Sequence, residues 1–318
     1  MGSPQEGQAC SNLPWRYGQI RGGHPVFKVI NPGAHTVFQD VGRHGLAGTG
    51  VCPSGSFDRM SAARANHAMG NDPRATVLEC LVGGLVLEAL QATQFIVCGV
   101  RCPIVISGVD GRVRQSYSNT IIDLEAGERL DIGTAESGMR GYLAIRGGFA
   151  AESVLGSRAT DIMSGLGPAP VKAGDVLLAD SLIAEPAWWP TLRQLPTLWP
   201  LEEVHTLSVV LGPRADWFTE DSITDFFSQT YQVSPQSNRI GIRLEGSTPL
   251  TRAVSRELSS EGMVRGSIQV PPNGMPVIFG PDHPVTGGYP VIGVLTRRSS
   301  DYSGQIAPGE SVRFQRAT

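Results

Sequence analysis

Between Pro272 and Val291 the chain reads PNGMPVIFGPDHPVTGGYPV. The stretch Asp282 to Pro290 gathers an acid, an imidazole, a hydroxyl, two adjacent glycines and a phenol. A hydrophobic core needs none of these. Gly287 and Gly288 would let backbone N–H groups approach a ligand and meet developing negative charge. Asp282 is a candidate proton acceptor, and Thr286 and Tyr289 are candidate contacts to a reacting group. Loops of this kind on a strand scaffold are where binding and catalysis concentrate. The same residues also read as a tight turn with a snorkelling tyrosine.

A second patch of this character runs from His35 to Arg59 and carries Gln39, Asp40, Arg43, His44, Ser54, Asp58 and Arg59 around a glycine-rich loop. Arg43 or Arg59 could grip a carboxylate with two parallel hydrogen bonds. Asp58 and Arg59 read equally as a capped, solvated helix entry. Three further polar runs are Tyr231–Arg243 with Arg239, Ser260–Pro271 with Glu261 and Gln269, and Gly156–Gly167 with Arg158 and Asp161. Glu261 reads as a base or an anchor, and Arg158 with Asp161 as a structural ion pair. The expectation is that the first two patches converge into one polar groove that a second protein completes.

Several chemistries are missing from the sequence. There is no phosphate-binding G-x-x-x-x-G-K-[ST], no G-x-G-x-x-G between a strand and a helix, no G-x-S-x-G elbow and no H-E-x-x-H. A biotin-attachment sequence is lacking too, so ATP or carboxybiotin, if used, would come through partner subunits, with no cofactor bound by this chain alone. Cys98 and Cys102 have no matching second pair, which argues against zinc, and no metal site is expected. The odd total of five cysteines without a secretory segment favours a reducing compartment, read as the cytoplasm. A net charge of −3 without basic runs excludes the footprint of a nucleic-acid binder, and no apolar run reaches membrane-spanning length.

The elements that must hold these residues are short. With 39 glycines and 23 prolines in 318 residues, many strands joined by turns are favoured over long helices. Strands are expected at, among others, Val26–Ile30, Thr76–Cys80, Leu85–Ala89, Gly141–Ile145, Val176–Ala179, Val277–Phe279 and Val291–Leu295. Asp110-Gly111 predicts a type I′ hairpin and Pro272-Asn273-Gly274 another turn. Helices are expected at Phe57–Met69, capped by Ser56, and at Thr219–Ser228, capped by Thr219. The division expected is an ill-ordered extension over 1–25, an N-terminal β-barrel over 26–183, a connector over 184–204 and a C-terminal β-barrel over 205–318. Trp188, Trp189 and Trp199 would pin the connector against a barrel.

The strings TVFQDVGRHG, GVCPSGSFDRMSAARAN, RGYLAIRGGF, VLGSRATD, GPRADWF, YQVSPQSNRIGIRLEG, SEGMVRGSIQVPPNGMPVI and TGGYPVI occur in that order over nearly the whole chain. Together they resemble the family that comprises allophanate hydrolase subunit 2, the C subunit of bacterial ATP-dependent 5-oxoprolinase, and biotin-dependent carboxyltransferases, including half of the urea carboxylase carboxyltransferase domain. The resemblance implies a mainly β fold of two cyclophilin-like β-barrel domains with few short helices. It also implies a sister subunit, allophanate hydrolase subunit 1-like, with a third subunit or a biotin carrier as a further partner. The matching polar positions are Gln39, Asp40, Arg43, Ser54, Asp58, Arg59, Asn66, Arg239, Glu261, Gln269, Thr286 and Tyr289. One departure lies before TGGYP, where Asp282, His283, Pro284 and Val285 replace an Asp-Arg-Gln-Thr-like string. The expected function is a subunit of a small-amide-processing enzyme, foremost the 5-oxoprolinase C subunit, inactive alone. The alternatives are a carboxyltransferase half acting on urea or a related amide, and a non-catalytic regulator that antagonises a kinase inhibitor.

Overall fold

The computed structural model describes residues 23–181, 193–199 and 202–317. Residues 1–22, most of the expected connector, Trp188, Trp189 and Cys10 lie outside the described residues.

Within the first half, strands form two sheets. The larger has seven strands in the order Phe149–Ala150, Val176–Ala179, His24–Pro32, Leu85–Ala89, Arg129–Ile132, Pro103–Ser107 and Val113–Tyr117. The smaller has five, ordered Thr36–Gln39, Val77–Leu81, Arg140–Ile145, Thr93–Cys98 and Ile122–Leu124. Alternation decides which side of the smaller sheet meets which layer. Leu143 and Ile145 of one strand and Phe95 and Val97 of its neighbour enter the core shared with the larger sheet. Tyr142, Ala144, Ile96 and Cys98 point the other way, against Ala62, Ala65 and Met69 of the first helix. With both faces covered, Arg140–Ile145 is buried throughout, and its sequence is continuous rather than alternating.

That helix spans Arg59–Ala68. Asp58, not Ser56, is its N-cap, accepting from the backbone N–H of Ser61 at 2.9 Å. Ser56 sits too early, because Asp58 still has extended backbone and the Phe57 N–H donates to Glu79 at 2.9 Å rather than to a cap.

In the second half, seven strands close into a barrel: Val204–Leu211, Val291–Leu295, Ser267–Gln269, Val277–Phe279, Gly241–Gly246, Tyr231–Val233 and Ser311–Arg316. Closure comes from the parallel pairing of the first with the last, Val204 opposite Ser311 through Val209 opposite Arg316. Leu207, Val209, Phe226, Ile268, Ile278, Ile292 and Phe314 fill it. Barrel closure is thus seen in the second half, while the first half is a pair of packed sheets. The helix Glu220–Ser228 is capped by Thr219 as its sequence predicts.

Differences from expectation have local causes. Gly111 adopts φ 82°, but Asp110 is not in the left-handed region, so the hairpin between Pro103–Ser107 and Val113–Tyr117 is not type I′, which requires both. The Pro272-Asn273-Gly274 turn does join two barrel strands, with the Gly274 N–H donating to Pro271 at 3.0 Å. A third helix, Arg297–Ser303, has no apolar stripe to announce it: Ser299, Ser300, Asp301, Tyr302 and Ser303 are all buried. Two-residue strands Glu261–Gly262 and Thr286–Gly287 pair as a separate ribbon outside the barrel, too short for periodicity to reveal.

Candidate functional site

Where the paired sheets meet the barrel, the candidate residues from distant segments come together, but inside the protein. Arg239 donates from Nε to Asp282 at 2.8 Å and from Nη2 to the same carboxylate at 3.0 Å. Its Nη1 reaches Glu79 on the strand Val77–Leu81 at 2.5 Å, and Nη2 also donates to the Gly55 carbonyl at 2.8 Å. Asp282 further accepts from the Ser54 hydroxyl at 2.6 Å and from the Ile162 N–H at 3.1 Å. Ser54 takes the left-handed region at φ 56°, a strain of about 1–2 kcal/mol, and this turn delivers its hydroxyl to Asp282. Asp282 and Arg239 are buried. Despite burial, which opposes its charge, Arg239 is held more firmly protonated than usual by Asp282 and Glu79. Burial would raise the Glu79 carboxyl, yet Arg239, Arg140 and the Phe57 N–H hold it below its ordinary value.

Asp282 is therefore corrected from proton acceptor to buried counter-ion: its oxygens are spent on Arg239, Ser54 and Ile162. Arg239 and Ser54 are likewise part of the seam. Asp58 is fully buried and has a similar task. It accepts from the Ser61 N–H and hydroxyl, from Trp199 Nε1 at 2.6 Å and from Gln305 Nε2 at 2.9 Å. Burial raises its carboxyl above the ordinary value against those four donors. Trp199 in turn stacks on Tyr302 with ring centroids 4.9 Å apart, so the described end of the Trp-rich segment is pinned against the barrel side.

The expected arginine clamps are already engaged as well. Arg59 pairs with Asp301 at 2.7 Å, and Arg265 reaches that carboxylate at 3.2 Å while donating to the carbonyls of Ser56 and Phe57. Arg43 is buried and donates to the carbonyls of Val154 and Ala159. The expected Arg158–Asp161 pair does not form. Arg158 bridges to Asp180 at 2.9 Å, while Asp161 accepts from the N–H groups of Met163 and Ser164. Gln39, Asp40 and Asn66 also hold backbone: Gln39 donates to Thr160, Asp40 accepts from Gly42 and Arg158, and Asn66 donates to Ala75.

The remaining candidates form a second, surface group on the ribbon. Glu261 opposes Gly287, and Gly262 opposes Thr286. Arg214 grips Glu261 through Nε at 2.9 and 3.1 Å, with Nη2 on the same carboxylate. That guanidinium holds the carboxyl below its ordinary value, which makes Glu261 a charged anchor and a weak base. Gln269 Nε2 donates to the Tyr289 carbonyl at 3.3 Å. Tyr289 is 43% exposed, with Arg252 over its ring at 5.6 Å. Gly287 serves close packing rather than a special φ: a Cβ there would lie 2.8 Å from Gln269 Nε2 and 2.9 Å from Met263 Cε. Gly288 stands more open, its added Cβ meeting only the Leu258 carbonyl at 3.7 Å.

The single groove is thus corrected to two places. A cavity of about 300 Å³ at the seam includes Trp199, His205, Tyr302 and Gln305 in its wall, with Asp58 directly behind. A second of about 200 Å³ is lined in part by Arg239 and Glu79. Glu261, Thr286 and Tyr289 line neither. Sequence reasoning missed Glu79, Arg140, Arg214, Asp301 and Gln305. A glutamate inside the apolar strand VLECL, and an arginine opening the apolar strand RGYLAI, were the signals available.

Four cysteines are buried, and burial pushes the thiols of Cys52 and Cys102 up to about 11 and those of Cys80 and Cys98 up to about 12. They are inert packing groups. No group of three or more His, Cys, Asp or Glu arranged to hold a metal occurs among the described residues. No helix among them is long and apolar enough to cross a membrane.

Known proteins share this architecture. The C subunit of Escherichia coli 5-oxoprolinase is 33% identical over 301 residues, covering 91% of this chain and 90% of that protein. The urea amidolyase of Lachancea kluyveri is 32% identical over 315 residues, but the match spans 17% of its length. The crystal structure of Kluyveromyces lactis urea carboxylase superimposes with a TM-score of 0.82 at 29% identity, covering 96% of this chain and 28% of that one. Residues 49–316 match the family described as carboxyltransferase domain, subdomain A and B, and the chain belongs to that family.

Proposed function

We propose that this chain is the C subunit of an ATP-dependent 5-oxoprolinase, which opens the lactam of 5-oxoproline to glutamate together with a sister subunit. The observation that carries this reading is the end-to-end correspondence with a free-standing 5-oxoprolinase component, 90% of which is covered, against 17% of a urea amidolyase at nearly equal identity. ATP enters through the partners. This chain contributes the ribbon face: the Thr286 hydroxyl, the Tyr289 phenol and the backbone N–H of Gly288 are donors for a lactam oxygen that gains negative charge. Glu261, fixed by Arg214, orients that face, and another group supplies the base. A single exposed ribbon excludes no water, so the isolated chain is inactive and its sister protein closes the site.

The test is reconstitution. The purified chain is combined with its sister subunits, and ATP-dependent glutamate release from 5-oxoproline is measured. Activity should appear only in the full assembly. Carboxylation of urea by an assembly with a biotin carrier, without lactam cleavage, would replace this reading with the carboxyltransferase one, which the fold similarity to urea carboxylase supports. Tight association without turnover in either assay would replace both with the regulator.

A further inference from the structure

The smaller cavity, about 200 Å³ at the seam, is walled by His35, Glu79, Met139, Arg140, Ile162 and Arg239 among others. Its charges are unevenly spent. Arg239 is saturated by Asp282, Glu79 and Gly55. Glu79 gives Oε1 to Arg239 and Oε2 to the Phe57 N–H and the Tyr142 hydroxyl, each of the latter at 2.9 Å. Arg140 therefore receives only a share of that carboxylate, with its Nε 3.6 Å away and beyond hydrogen-bond reach. Its Nη1 donates to the Gly304 carbonyl, and its flat face lies over the Phe57 ring at 4.4 Å. Nη2 has no acceptor among the described residues. The Arg140 side chain is 5% exposed, and its unpaired Nη2 keeps solvent access, so a guest entering the cavity can reach it.

The other walls suit one kind of guest. Burial and the fields of Arg239 and Arg140 hold His35 below its ordinary 6.5, so at neutral pH its imidazole is an uncharged donor and acceptor. Met139 and Ile162 offer carbon surface. Asn238, which also lines the cavity, has its oxygen fixed by the Ile240 N–H at 2.8 Å, which leaves its amide NH₂ as a donor. We propose that this cavity binds a small organic monocarboxylate, with Arg140 taking the carboxylate and Met139 and Ile162 its carbon skeleton. The site is separate from the ribbon, and the proposal does not depend on the chain being a 5-oxoprolinase subunit.

The experiment uses the full chain alone, titrated by calorimetry with propanoate and with propanamide, which has nearly the same shape and no charge. Propanoate should bind about tenfold or more tightly than the amide, as expected of a hydrogen bond to a charged group. Ile162→Trp fills the cavity, keeps the backbone N–H that donates to Asp282, and should abolish binding while the urea midpoint is held. Arg140→Gln should lose the preference for acid over amide. Because that variant also breaks the contact with Gly304, it is read beside Ile162→Trp. Equal affinity for acid and amide, no binding of either, or propanoate binding that survives a folded Ile162→Trp would each overturn the proposal.

Discussion

Arg239 of the barrel and Glu79 of the five-stranded sheet, 160 residues apart in the chain, form a 2.5 Å ion pair with both side chains 4% exposed. Asp282 completes the set from the opposite side of the guanidinium. The seam between the two halves is therefore polar at its centre, and these three charges are spent on one another rather than offered to solvent. Removing one member strands the others. Arg239→Met should destabilise the chain by about 3–5 kcal/mol, the usual cost of breaking a buried pair from one side. Urea unfolding would show a lower midpoint at unchanged slope. A loss below ~1 kcal/mol would mean that water reaches the seam and screens the pair.

Asp58 makes a sharper comparison. Asn at this position gives up a charge that burial disfavours and keeps one oxygen for the Ser61 N–H, but its NH₂ replaces the oxygen that accepts from Trp199, Gln305 and the Ser61 hydroxyl, whereas Ala removes both acceptors. Asp58→Ala should cost about 2 kcal/mol or more, cap and stranded donors together. Asp58→Asn should cost less only by the cap it retains, about 1 kcal/mol. The two midpoints, measured side by side, test whether the carboxylate is structural; equal losses would indicate that its charge matters beyond the cap.

Much of the scaffold was legible because short apolar runs between turn residues mark strands whatever the tertiary context. Leu85–Ala89, Val176–Ala179, Val277–Phe279 and Val291–Leu295 keep their expected bounds. The helix Arg297–Ser303 was not legible: its burial rests on Asp301 pairing with Arg59 and Arg265, and sequence does not display such distant partners. The same blindness explains the site. Asp282 looks catalytic in its own loop, and only Arg239 and Ser54, supplied from elsewhere, make it a counter-ion. Thr286 and Tyr289 were recognisable together because they sit in one short loop, but their neighbourhood with Glu261 was not, since a ribbon of two-residue strands leaves no periodicity to read.

The pH dependence of stability follows from His35 and His283. Burial, with Arg239 acting on His35 and Arg265 on His283, holds both below the ordinary 6.5 in the folded protein. Below that value the unfolded chain takes up protons that the folded chain refuses, so stability is full above 6.5 and declines as pH falls toward the folded values. Asp58, raised above its ordinary 3.8, acts with opposite sign and offsets part of the loss. Glu79, lowered from 4.5, adds to the loss only below that figure. Unfolding free energies from about pH 8 to about pH 5 should therefore fall, and fall more steeply in Asp58→Asn. A flat profile in that variant would show that neither imidazole is held neutral.

The ribbon is where the functional proposal can be separated from the fold. Thr286 is exposed and Tyr289 is 43% exposed, and neither side chain has a hydrogen bond among the described residues whose loss would unsettle the barrel. Thr286→Val with Tyr289→Phe removes two hydroxyls at almost constant shape. Stability should change by less than about 0.5 kcal/mol, while turnover in the assembled complex should drop by about 100-fold if the hydroxyls meet developing charge. Gly287→Ala is the complementary probe, since its Cβ pushes on Gln269 and Met263 and shifts the ribbon without deleting a donor. If both variants assemble with the sister subunit and keep wild-type kcat, the ribbon is only a turn, and the reacting lactam oxygen must be met by the partner.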